Sequence, residues 1–264
     1  MDDAAVILDG VSRRAGGVQI LHDVTLGFAA GRFNVILGPN GAGKSTLIRI
    51  AAGHIARLEH GTVSYWDAPL DTFEADALAR RRAVLSQQIE MAFPLAVEDV
   101  VMMGRYPHYR GVPSARDREI VREALALVEM TERRHQLYPT LSGGERQKTQ
   151  LARVLAQVWQ EEGTLEQTVL FLDEPTASLD LHFQLQLLAT ARTFLRRGAT
   201  IVASLHDLNL AFDFGDRFFV MEGGRLVHQA DAPEDMPKEL IERVWRVKAD
   251  PIAAGGRTRW YFRV

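Results

Sequence analysis

Nine consecutive residues, Gly38, Pro39, Asn40, Gly41, Ala42, Gly43, Lys44, Ser45 and Thr46, bring together glycines, one cation and two hydroxyls. They fit the spacing G-x-x-x-x-G-K-[ST], which cradles a phosphate chain when it joins a strand to a helix. The flanks supply that context: the apolar run FNVIL precedes the motif, and Leu47, Ile48 and Ile50 follow at helical spacing. Glycine lets the backbone close round an anion, and a helix start adds N–H groups and the positive end of a dipole. Lys44 is then the cation for the outer phosphates, and the Ser45 hydroxyl a ligand for Mg²⁺. Alone, such a cradle suits kinases, GTPases and many motor proteins equally.

Carboxylates come from a second run. TVLFLDE sets Asp173 and Glu174 at the end of an apolar segment, the end of a strand where open α/β sheets bind ligands. Asp173 is expected to hold Mg²⁺, directly or through water. Glu174 is expected to orient or deprotonate the water that attacks the terminal phosphate. Taken alone, the pair before Pro175 also reads as helix-capping carboxylates.

The third chemical string is Leu141-Ser142-Gly143-Gly144-Glu145-Arg146-Gln147. Ser142 and Glu145 form a capping box, and Leu151, Val154, Leu155 and Val158 give the helix behind it one apolar face. An ordinary capped helix accounts for Ser142 and Glu145 but not for Gly143 and Gly144. A glycine costs about 1 kcal/mol against alanine inside a helix, less at its end. What the pair offers is a bare helix start on which a phosphate can dock.

These strings need a frame. FNVIL, TVLFL and TIVAS are apolar throughout, as in strands covered on both faces, so an α/β domain with a largely parallel sheet is expected. VIL near Val6 and TVSYW near Thr62 read as antiparallel strands beside that sheet. From about Val97 to Thr140 the strand signal gives way to a capping box at Ser114–Asp117, with Ile120, Val121, Ala124, Leu125 and Val128 at helical spacing. The layout expected is one domain over 1–264: a nucleotide-binding core with β subdomain over about 1–90 and 145–230, a helical lobe over about 91–144, and a short tail over 231–264. The polar stretch QEEGTLEQ reads as a surface loop, and the sequence from Pro233 on carries no motif.

Composition sets limits. With no cysteine among 264 residues there is no disulfide, thiolate metal site or cysteine nucleophile. A net charge of −3 gives no general attraction to nucleic acid. The start, MDDAAVILDG, lacks a signal-peptide pattern, and no window approaches the roughly 18 apolar residues of a membrane span. A soluble, cytoplasmic protein is expected, meeting a membrane only through a partner.

In order and spacing, GPNGAGKST, LSGGERQ, VLFLDEPTASLD and SLHD resemble the Walker A, signature, Walker B with D-loop, and switch histidine of ABC ATPases, over roughly residues 5–230. The resemblance implies a P-loop cassette with a RecA-like core, an antiparallel β subdomain and an inserted helical subdomain, using ATP and Mg²⁺. It implies a head-to-tail homodimer, in which Ser142, Gly143, Gly144, Glu145 and Asp180 of one copy complete the site of the other, with Ser178 also in the D-loop. It makes Glu174 the catalytic base and His206 the histidine on the terminal phosphate. Gln87, rather than Gln88, becomes the loop glutamine reaching the metal and the water.

Within the family, a lone cassette without membrane spans, coiled coils or a second cassette is similar to importer subunits. VVMMGRYPH resembles a segment of importers for haem, iron siderophores and cobalamin, and ARVLAQVW and LHDLNLA look most like haemin importers. That implies a peripheral subunit on the cytoplasmic face of the inner membrane, working with integral permease subunits and a substrate-binding protein, and not with nucleic acid. The GRYPH run is then a groove for a short permease helix, with Gln87 linking it to the nucleotide; as a bland alternative it is a solvated loop. Siderophore or cobalamin import, and a soluble nucleotide-gated clamp, are the other readings. One departure stands out. Where many such ATPases place an aromatic residue against adenine, this chain has Ala15, beside Arg13 and Arg14. Weak grip on the base and loose ATP-over-GTP preference are expected.

Overall fold

The computed structural model describes residues 3–55, 58–86, 93–160, 165–177, 179–254 and 257–263. The chain forms two compact units, Met1–Leu70 with Val202–Val264, and Asp71–Ile201.

The first unit opens with long antiparallel strands β1 (Ala4–Ala15) and β2 (Val18–Ala29). There follow β3 (Phe33–Leu37), helix α1 (Lys44–Ala51), β4 (His60–Tyr65) and β5 (Ala68–Pro69). The order β2-β1-β4-β5 makes an antiparallel sheet, as expected of the segments near Val6 and Thr62. All five residues of β3 are buried, which is why that segment is apolar without alternation.

The second unit begins with α2 (Ala75–Arg81) and β6 (Arg82–Leu85). Its helical stretch holds α3 (Val97–Met102), a 3₁₀ turn at Met103–His108, and α4 (Ala115–Leu127). The capping box predicted at Ser114 is present, and Ile120, Val121, Ala124, Leu125 and Val128 are buried. The long helix α5 (Gly143–Val158), strand β7 (Val169–Asp173) and helix α6 (Leu181–Leu195) complete it. β7 is wholly buried and runs parallel to β6, with Leu172 opposite Leu85.

Strand β8 (Thr200–Ser204) passes from the second unit into the first, and all five of its residues are buried. Then come α7 (Leu208–Phe214), β9 (Arg217–Glu222) and β10 (Arg225–Ala230), with β9 parallel to β3 and antiparallel to β10. The stretch past Pro233, which showed no pattern in sequence, folds into α8 (Lys238–Trp245) and a hairpin of β11 (Lys248–Ala254) and β12 (Arg257–Arg263). Among the described residues no helix is long and apolar enough to cross a membrane.

Candidate functional site

In the first unit the loop Gly38–Gly43 leaves the end of β3 and enters α1 at Lys44. Its glycines are dictated by the chain itself. Gly38 has φ +144°, and a Cβ there would run into the Met221 carbonyl. Gly43 has φ +97°, and a Cβ would stand 2.8 Å from Leu21 Cδ2 and 3.2 Å from the Ile20 carbonyl oxygen. Only glycine meets both conditions, so the backbone can present its N–H groups inward. Lys44 is 4% exposed, and its ammonium donates to the carbonyls of Gly38 at 2.8 Å and Pro39 at 3.1 Å. That ammonium therefore sits within the loop whose backbone would hold phosphates. Ala42 is buried, Pro39, Ser45 and Thr46 are half-buried, and Asn40 and Gly41 are exposed.

His206 follows β8 in the same unit. The N–H of Leu205 donates to the Ile36 carbonyl at 3.3 Å, which puts the histidine loop beside the strand that opens the cradle. His206 is exposed, and Asp207 behind it caps α7 by accepting from the Leu210 N–H at 3.0 Å. Ala15 is exposed beside the Gly16–Gly17 turn, opposite Val18 and not an aromatic residue.

In the second unit Asp173 ends β7 and is 8% exposed, while Glu174 behind it is half-buried. Glu174 has φ +49°, a left-handed conformation that is uncommon outside glycine. Such strain costs on the order of 1–3 kcal/mol and concentrates where a side chain must be aimed. No sequence pattern signals it. Asp180 accepts from the Phe183 N–H at 2.8 Å and so caps α6.

The capping box of α5 is formed: Glu145 accepts from the Ser142 N–H at 2.9 Å and its hydroxyl at 2.8 Å. These bonds, aided by Arg133 at 2.8 Å, hold the Glu145 carboxyl below its ordinary range. Among the described residues nothing lies within 4 Å of a Cβ built on Gly143, and Gly144 would meet only Leu179 at 3.8 Å. Further along α5, the Gln147 amide donates to the Pro175 carbonyl and the Lys148 ammonium lies 4.4 Å over the Phe183 ring. The start of α5 is thus fastened to the segment that follows Asp173 and Glu174.

The GRYPH segment has an internal role that sequence reasoning missed. Gly104 lies against α5, where a Cβ would collide with the Arg153 carbonyl and stand 3.2 Å from the Gln157 nitrogen. Arg105 is 3% exposed; it pairs with Asp117 at 3.0 Å and donates to the carbonyls of Ala156 at 2.8 Å and Trp159 at 2.9 Å. Burial disfavours the Asp117 anion, yet the Ser114 donors and Arg105 hold its carboxyl below the usual range. His108 lies 2.6 Å from the Gln157 carbonyl oxygen, and burial lowers its tendency to protonate. Tyr106 remains 59% exposed, and a cleft of about 520 Å³ opens beside Arg80, Arg81, His108 and Trp159. Asp117 both closes the capping box of α4 and pairs with Arg105, and no local spacing in the sequence announces the second role. Gln87, Gln88 and Ser178 lie outside the described residues.

Residues 21–177 match the ABC transporter family. The chain belongs to that family. This ABC cassette is 48% identical over 218 residues to the hemin import ATP-binding protein HmuV of Gloeobacter violaceus, covering 83% of this chain and 78% of that one. It is 42% identical over 231 residues to the protein of that name from Agrobacterium fabrum, covering 88% and 87%. Its fold resembles an inward-facing metal-chelate type ABC transporter, with TM-score 0.79 at 20% identity over 98% of this chain and 97% of that one. It also resembles the dimeric structure of a bacterial ABC transporter cassette, with TM-score 0.73 at 26% identity, covering 86% and 98%.

Proposed function

We propose that this cassette binds and hydrolyses ATP to drive import of haem (haemin) through a membrane permease, as a peripheral subunit on the cytoplasmic face of the inner membrane. One observation carries the cargo: identity of 42–48% over more than four fifths of the chain with proteins named for hemin import. In this reading Gly38 to Thr46 hold the phosphates, with Lys44 as their cation. Mg²⁺ suits the oxygen donors Ser45 and Asp173, one a hydroxyl in the first turn of α1 and one a buried carboxylate, with Gln87 as the third. The ion would neutralise phosphate charge; Glu174 would hold the attacking water and take its proton, and His206 would contact the terminal phosphate.

The signature glycines argue for a second copy. No described neighbour in their own chain requires Gly143 or Gly144, so their bareness serves something outside it. A head-to-tail homodimer would set Ser142, Gly143, Gly144 and Glu145 on the nucleotide of the partner subunit, with Asp180 close to the shared boundary. The cleft beside Arg80 and His108 would accept a permease segment, and a substrate-binding protein would deliver cargo from the other side.

Glu174→Gln is the test. It should reduce ATP turnover at least a hundredfold while ATP remains bound, giving a dimer visible by gel filtration. Hydrolysis at the original rate would remove Glu174 from the role of base. Loss of haem uptake, but not of other iron uptake, in cells lacking the chain is the outcome expected for the cargo; unchanged haem uptake would refute it.

A further inference from the structure

The C-terminal hairpin carries no motif, yet it is fastened to the helix that begins just behind His206. The Asn209 side-chain amide donates to the Trp260 carbonyl at 3.0 Å and accepts from the Trp260 N–H at 2.8 Å. Those are the two bonds a neighbouring antiparallel strand would exchange with Trp260, made here by one side chain on a helix. A second link joins Arg259 to Asp213 near the end of α7, at 2.5 Å. The hairpin is itself anchored to α8. Lys238 pairs with Asp250 at 2.9 Å, Arg263 pairs with the same carboxylate, and the Ala249 N–H donates to Glu242 at 3.1 Å.

His206 lies three residues before Asn209. On its upstream side the loop is fixed by the Leu205 bond to Ile36. On its downstream side the loop runs through the Asp207 cap into α7. α7 has seven residues, too few to form a stable helix without tertiary support. Leu208, Leu210, Ala211 and Phe212 bury its apolar side, and Asn209 is half-buried where it meets Trp260.

We propose that Asn209 is a positioning residue: its clamp on Trp260 makes the C-terminal hairpin the fixed point that holds α7, and through it His206, in place for hydrolysis. This rests on the reading of His206 as the residue that meets the terminal phosphate. The tail of the chain is then part of the hydrolytic apparatus.

The test uses the full chain and steady-state ATP hydrolysis. Asn209→Leu keeps the volume and loses both bonds; kcat should fall about tenfold, as expected for roughly 1.4 kcal/mol, with KM for ATP unchanged within about twofold. Asn209→Asp, which keeps only the acceptor, should fall in between, and Arg259→Ala should lose less than either. His206→Ala is measured alone and combined with Asn209→Leu. If Asn209 acts through the histidine, the double variant is no slower than His206→Ala. Full kcat in Asn209→Leu, or an equal further loss in the His206→Ala background, overturns the proposal. A wild-type rate in His206→Ala removes the role of that histidine and the positioning with it. A normal fall there with no effect at Asn209 overturns the positioning alone. Should Asn209→Leu fail to fold, the graded series of Asn209→Asp and Arg259→Ala decides, and unchanged kcat in both is the refuting result.

Discussion

Two glycine pairs, one in the loop before α1 and one at the start of α5, differ in what demands them. In the cradle, Gly38 and Gly43 are required by their own neighbours: Met221 on one side, Leu21 and Ile20 on the other, with positive φ at both. At the start of α5, Gly143 and Gly144 stand in open space or at ordinary contact distance, and neither has positive φ. The first pair is explained within the chain. The second has no such requirement among the described residues, and the proposed second copy is what it would serve.

Alanine at each pair separates the two cases most sharply. Gly38→Ala should destabilise the fold by several kcal/mol, since the clash is with backbone and the φ is strained, and abolish ATP binding in a filter assay. Gly144→Ala should leave the melting temperature unchanged or slightly raised, by at most about 1 kcal/mol of helix propensity. Its ATPase rate should nevertheless fall severalfold or more. A Gly144→Ala protein that melts early would show an internal demand at that position, and the contrast would fail.

A smaller effect is expected at the base end of the nucleotide. Ala15→Tyr should tighten ATP binding by about 1 kcal/mol or more through stacking, read by competition against GTP. Strong adenine preference already present with Ala15 would mean that another residue stacks.

The smallest effect concerns acid. Glu145 is held below its ordinary range by the Ser142 bonds, whereas Gly38 to Thr46 contain no carboxylate. A depressed carboxyl stabilises the fold above its unfolded pKa, about 4.3 for glutamate, and loses that contribution as pH falls through the folded value. Below about pH 4.3, amide exchange at the start of α5 should therefore accelerate ahead of α1. Glu145→Gln should remove the difference.

What was legible in sequence follows from distance along the chain. FNVIL and TIVAS match β3 and β8 residue for residue, and both capping boxes form, because each signal lies within a few residues. The glycine loop that joins β3 to α1 was legible for the same reason. The bond between Asn209 and Trp260 spans 51 residues, and β11 carries Pro251 among alanines without clear alternation, so the hairpin left no pattern to read. Glu174 hid its left-handed backbone, since nothing in the side-chain type announces it. Arg105 read as part of a surface segment, because its burial depends on carbonyls at the far end of α5.

That buried arginine has a mechanical consequence. It ties the 3₁₀ turn at Met103–His108, the first turn of α4 and the last turn of α5 at one point. Opening such a knot leaves charge stranded away from water, at a cost of about 3 kcal/mol or more. The three elements are held together at that point by one guanidinium.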